Sequence, residues 1–165
     1  MESAAWAVPI GVGATIVMDL WAAILRMTGV KGLDYSMVGR WLGNMSRGRF
    51  VHSSIAAAPA VRGERAIGWA AHYAIGIGFA AVLLVICGAN WVATPSILPA
   101  VAFGIATVAV PFLILQPAMG MGVAASRAPA PGVARLRSVA THAVFGLGLY
   151  VSARILTTLR EISSG

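Results

Sequence analysis

Polar residues are so sparse along this chain that the apolar runs between them set its plan. The first run extends from about Trp6 to Met27, the second from Ala66 to about Gly88, the third from Ser96 to about Met119 and the fourth from Ser138 to about Leu159. Each holds roughly the 20 residues that an α-helix needs to cross the hydrocarbon of a bilayer. The pattern predicts an all-α integral membrane protein: a four-helix bundle built from two hairpins, in a single transmembrane domain over residues 1–165. A short uncharged link around Asn90, Trp91 and Pro95 makes the turn between the second and third runs. Longer polar intervals, 28–65 and 120–137, make the other two connections. Pro111 falls inside the third run and predicts a kink there, because proline lacks an amide hydrogen and crowds the preceding turn. Pro117 is expected to end that helix.

Within 28–65 the period changes. Asp34 can cap a short helix on which Val38, Trp41, Leu42 and Met45 share one face, with Arg40 and Asn44 elsewhere, and such a helix is expected along the membrane surface. Ser46 to His52 is basic and contains glycine, and Ser53 to Val61 reads as a second short helix that ends near Pro59. The first apolar run is preceded by Glu2 and no basic residue, and Asp19 interrupts it, so it is read as a retained span and not a signal peptide.

Composition sharpens the membrane reading. Hydrophobic residues make up 59% of the chain and charged residues 10%, against about a quarter charged in soluble domains; the mean hydropathy is +0.84. Twelve Lys and Arg face five Asp and Glu. In a soluble chain that excess would point to nucleic acid, but here ten of the twelve, Arg26 through Arg137, border or fill the two long intervals. The positive-inside rule then places both intervals in the cytoplasm and both termini outside, with no nucleic-acid partner. Cys87 stands alone, which excludes an internal disulfide and leaves it to packing.

On that topology four polar side chains fall at one depth. Asp19 precedes Arg26 by seven residues, His72 follows Arg65 by seven, His142 follows Arg137 by five, and Gln116 lies near the cytoplasmic end of the third run. At 1.5 Å per residue each sits roughly 5 to 10 Å inside the cytoplasmic boundary. Ionisable groups in hydrocarbon are costly and face the bundle interior, so the four define a candidate pocket. Two of them occur in an echo: Arg65, His72, Gly76 and Gly78 against Arg135, His142, Gly146 and Gly148. This predicts a parallel internal repeat about an axis along the membrane normal. Gly68, Trp69 and Gly76 share the face of His72, and each glycine one turn beyond a histidine leaves room for a neighbouring helix or a flat ligand.

Several chemistries fit this layer. His72, His142 and Asp19 could bind a transition metal, or the two histidines could be the axial ligands of haem b with loop arginines on its propionates. A proton-coupled carrier for an anionic small molecule would use the same groups as titrating sites and, with only four spans, would need a dimer. The layer could also serve only to fix helix packing in a structural subunit of a larger membrane assembly. No Ser-His-Asp order, paired carboxylates or cysteine nucleophile supports an enzyme. Arg40, Arg47, Arg49, Arg65, Arg127 and Arg135 are candidates for contact with anionic lipid headgroups or with a phosphate or carboxylate ligand. His52 is read as solvated or, folded back, as a further ligand; Glu64 as a partner of Arg62 or Arg65. Arg154 is expected to snorkel outward, and Trp6, Trp41 and Trp91 to anchor span ends.

Met-Asp-Leu-Trp at 18–21, Val-Gly-Arg-Trp-Leu-Gly at 38–43, Gly-Glu-Arg-Ala-Ile-Gly-Trp-Ala-Ala-His-Tyr at 63–73, Leu-Gln-Pro-Ala-Met-Gly at 115–120, Ala-Ala-Ser-Arg at 124–127 and Thr-His-Ala-Val-Phe-Gly-Leu-Gly-Leu-Tyr at 141–150 carry a likeness over nearly the whole chain. In these segments the sequence resembles a family of small bacterial inner-membrane proteins classed as a domain of unknown function. The resemblance implies a bacterial inner-membrane location and no particular activity, cofactor or site.

Overall fold

The protein is described from a computed structural model, over residues 2–30 and 32–164. Its helices are α1 (Glu2–Met27), α2 (Tyr35–Met45), α3 (Glu64–Ala93), α4 (Ile97–Ala106), the single turn α5 (Gln116–Ala118) and α6 (Pro131–Ser164). No strand occurs among the described residues. Four stretches are long and apolar enough to cross a membrane: Ala5–Met27, Glu64–Gly88, Ile97–Ala118 and Pro131–Ser163. These coincide with the four apolar runs, but helix and run do not share their ends. Hydropathy marks where hydrocarbon would solvate a helix, whereas the backbone ladder continues while capping and packing support it. Thus α6 begins at Pro131, inside the interval read as loop, with its proline at the position where a missing N–H costs nothing. Likewise α3 runs on to Ala93, although Gly88 breaks it at φ 74°, ψ 178°. The residues read as a bare link therefore include a further helical turn, and Trp91 is buried there, its indole N–H donating to Ser96 O at 3.2 Å.

The regular α-helix of the third span is interrupted near the proline at which the sequence predicts a kink. α4 stops at Ala106, and Pro111–Leu115 forms a wide π-helical turn in which the Gln116 amide reaches back to Pro111 O. Proline leaves one carbonyl without its donor, and the wider turn is one way that the ladder resumes.

The chain divides into two compact units. The first comprises 1–31, 73–107 and 140–165. Its core draws on all four spans: Ile10 and Ala14 from α1, Leu83 from α3, Ala100 from α4, and Phe145 and Leu149 from α6. Two close crossings hold it. A Cβ on Gly11 would lie 2.5 Å from the Cα of Ile77, and one on Gly104 would lie 2.5 Å from the Cα of Gly146. Without side chains at these points, α1 with α3 and α4 with α6 approach backbone to backbone, as small residues allow in helices apolar enough to cross a membrane.

The second unit comprises 32–72 and 108–139. α2 forms as expected, with Asp34 accepting from the Ser36 amide at 2.9 Å as its cap. It crosses the first turns of α3 at Gly39 and Gly68, each lying against backbone of the other helix. Val38, Ile55 and Met119 are buried together, with Tyr35, Trp41 and Leu42 packed around them. Asn44, read as lying off the apolar face, is fully buried at 0% exposure, its amide donating to Arg40 O at 2.8 Å. In place of a second regular helix at 53–61 there is one 3-10 turn, Ile55–Ala57.

Candidate functional site

Each ionisable residue of the polar layer is met by a partner on another helix. In the first unit Asp19 of α1 is half-buried and accepts a hydrogen bond from the Tyr73 hydroxyl of α3 at 3.0 Å. His142 of α6 meets the buried Thr107, which follows α4. The Thr107 hydroxyl oxygen stands 2.5 Å from Gly104 O and 2.7 Å from His142 Nδ1. That hydroxyl has one proton and a carbonyl has none to give, so the proton goes to Gly104 and the hydroxyl oxygen accepts from Nδ1–H. Neutral His142 is thereby held as the Nδ1–H tautomer, with the lone pair on Nε2.

In the second unit His72 stacks on Tyr35, with ring centroids 4.2 Å apart, and Nε2 lies 3.0 Å from the Tyr35 hydroxyl. Trp69 closes the cluster, 4.6 Å from Tyr35 and edge-on to His72 at 5.9 Å. The shared face of His72 and Trp69 was legible from their spacing; Tyr35, on another helix, was not. Gln116 is buried at 8% exposure, and its Oε1 has no hydrogen-bond partner.

Asp19 and His142 thus lie in the first unit, His72 and Gln116 in the second. Tyr73, Thr107 and Tyr35 were missed. Thr107 and Tyr73 are polar groups inside apolar runs, and that much could have been noticed. Among the described residues no three of His, Cys, Asp and Glu come together in a way that could hold a metal ion. The glycines after the two histidines are occupied by protein: Gly76 lies against Thr15, and Gly146 against Ala100 and Val101. They admit neighbouring helices, the first of the two uses read from the sequence.

The arginines divide by role. Arg40 faces Glu64, with Nη2 2.7 Å from Oε1 and Nε 2.9 Å from Oε2, and Nη1 donates to Ala56 O at 3.1 Å. Glu64 also accepts from the Val61 amide at 2.9 Å. The partner of Glu64 is therefore Arg40, 24 residues upstream, and not Arg62 or Arg65; the fork geometry of the guanidinium suits a carboxylate so approached. Arg40 is engaged by the protein and has little left for a lipid. Arg135 donates from Nε to Ala124 O at 2.9 Å. Arg49, Arg65 and Arg127 are exposed. Of the tryptophans, Trp41 donates to Phe50 O at 2.8 Å and Trp6 lies under the Arg160 guanidinium at 5.8 Å, while Trp91 is the buried one described above.

The class is then an all-helical protein with four membrane-span-like helices that carry hydrogen-bonded ionisable groups. More particularly, residues 8–156 match the family described as protein of unknown function DUF2938, and the chain belongs to that family. No curated protein and no solved structure matches it.

Proposed function

We propose that this is a multi-pass protein of the bacterial inner membrane that binds a small organic ligand through ionisable groups in its spans. Asp19 and Nε2 of His142 are the groups proposed to meet the ligand. The supporting observation is the Asp19–Tyr73 hydrogen bond at 3.0 Å. A carboxylate on an apolar span is expensive to maintain, and helix packing alone could be served by a neutral side chain. The tautomer of His142 adds a lone pair that can accept a proton or a donor group. A transition metal or haem b is the less favoured occupant, because His72 Nε2 already faces the Tyr35 hydroxyl and no three ligating side chains are grouped among the described residues. On this reading both basic intervals face the cytoplasm, with Arg49 and Arg65 against anionic headgroups.

The test is native mass spectrometry of protein extracted in mild detergent, alongside an absorption spectrum and elemental analysis. The wild type should carry a small organic adduct that is lost in Asp19→Asn and His142→Ala. A wild type bearing lipid alone would refute the proposal, and a haem band or stoichiometric metal lost in His72→Ala and His142→Ala would replace it with the cofactor reading. The second reading, that these groups only fix packing, is favoured by the Thr107–His142 contact and predicts lower stability in each variant with no change in adduct.

A further inference from the structure

A separate site is outlined by the second unit. A cavity of about 510 Å³ is lined by Val51, His52, Ser53, Pro117, Ser126 and Arg127, with Gly122 and Val123 completing it. Its walls are pinned. The His52 amide donates to Ala118 O at 2.8 Å, and the Ile55 amide to Met119 O at 3.1 Å, which ties the 52–55 segment to the end of the third span. On the other side the Arg127 amide donates to Met121 O at 2.9 Å, and Arg135 holds Ala124 O. Gly122, at φ +73°, turns the chain so tightly that a Cβ there would press on Ser126 Oγ and on Arg127 Cγ.

The chemistry of this lining is one-sided. Both ring nitrogens of His52 are buried without a hydrogen-bond partner. Such a ring has lost its water and gained nothing, which is costly unless a ligand or ordered water completes it. At least one of those nitrogens carries a proton to donate, and so do the Ser53 and Ser126 hydroxyls and the Arg127 guanidinium. No acidic residue lines the cavity. Among the described residues Arg127 has no carboxylate partner; the ion pair found there joins Arg40 to Glu64. Four residues with donor side chains line one space, more donors than the two oxygens of a carboxylate need and a match for the oxygens of a phosphate, for which the arginine fork is well suited. Val51, Pro117 and Val123 add an apolar wall, so the phosphate is one attached to hydrocarbon.

We propose that this cavity binds the phosphate group of an organic phosphate, through His52, Ser53, Ser126 and Arg127, with the hydrocarbon it carries against Val51, Pro117 and Val123. Two sources share that chemistry: an acidic phospholipid headgroup and a soluble phosphomonoester.

The experiment titrates hexyl phosphate into full-length protein in detergent by calorimetry. In parallel, the ring nitrogens of ¹⁵N-histidine-labelled wild type are followed by NMR. Saturable binding with movement of the His52 resonances is expected, with affinity lowered about tenfold or more in Arg127→Gln and in His52→Asn. Arg137→Gln, an equal change of charge outside the cavity, should stay within about twofold of wild type. The wild-type NMR signal keeps the proposal testable if either cavity variant fails to fold. Repeating the titration in phosphatidylcholine nanodiscs with and without phosphatidylglycerol separates the sources: a lipid occupant competes with hexyl phosphate, and a soluble one is indifferent to the lipid. Absent binding, still His52 resonances, or equal losses in Arg127→Gln and Arg137→Gln would each overturn the proposal.

Discussion

Gly146→Ala tests whether the crossing of α4 and α6 is a contact between backbones. A Cβ on Gly146 would meet Ala100 O and Val101 Cα at 2.7 Å each. Ordinary carbon contacts begin near 3.5 Å, so the helices must part by roughly 1 Å, and neither obstacle is a side chain that can rotate away. Overpacking of this kind costs about 1 to 3 kcal/mol. Because both obstacles are backbone, the cost falls in the upper part of that range, about 2 to 3 kcal/mol, and after the up to about 1 kcal/mol of helix propensity that alanine recovers over glycine a net loss of about 1 to 2 kcal/mol remains. Gly78 supplies the internal control: it directly follows Ile77 of the other crossing but has open space around its own Cβ position, so Gly78→Ala should be neutral or stabilising by up to about 1 kcal/mol. Unfolding in mixed micelles by titration with dodecyl sulfate, followed by circular dichroism, measures both. Equal effects of the two substitutions, or a Gly146→Ala protein as stable as wild type, would refute the crossing.

Other consequences can be checked directly. Thr107→Val leaves the Nδ1–H of His142 without its acceptor and should cost about 1 to 3 kcal/mol in the same assay, with the His142 ¹⁵N shifts reporting altered tautomer populations; Thr107→Ser should keep the wild-type tautomer. Arg40→Gln and Glu64→Gln should each speed tryptic cleavage at Arg47, Arg49 and Arg62. The exchanged pair Arg40→Glu with Glu64→Arg should fail to restore protection, because the carbonyl of Ala56 needs a donor at position 40. In a Cys87→Ser background, cysteines placed at Arg49 and Arg127 should both be labelled from the cytoplasmic side by a membrane-impermeant maleimide; labelling from opposite sides would break the proposed topology.

What the sequence made legible is what depends on neighbours along the chain. The four spans, the Asp34 cap, the face shared by His72 and Trp69 and the break at Pro111 all follow from the solvent each residue prefers or from hydrogen bonds within a turn or two. What escaped depends on residues far apart. Arg40 and Glu64 are separated by 24 positions, Thr107 and His142 by 35, Tyr35 and His72 by 37, and Asp19 and Tyr73 by 54. In every case the polarity of one member was visible and the identity of its partner was not, because helix rotation and crossing point decide it.

The same distinction sorts the polar residues into those the protein completes and those it leaves open. His72, His142 and Asp19 drew notice from sequence because an ionisable group in an apolar run demands an explanation, and each finds a hydrogen-bonding side chain on another helix. His52 drew less, since a histidine in a basic interval can be left to water. Yet both of its ring nitrogens are enclosed without a partner, where Gln116 leaves only its Oε1 so, and it lies beside an arginine that no carboxylate engages among the described residues. Burial without satisfaction is a stronger pointer to a ligand than polarity in an apolar span, because hydrogen bonds inside the protein can account for the second and by definition do not account for the first. The order in which the two sites should be tested follows: the loop cavity around His52 and Arg127 first, the span residues second.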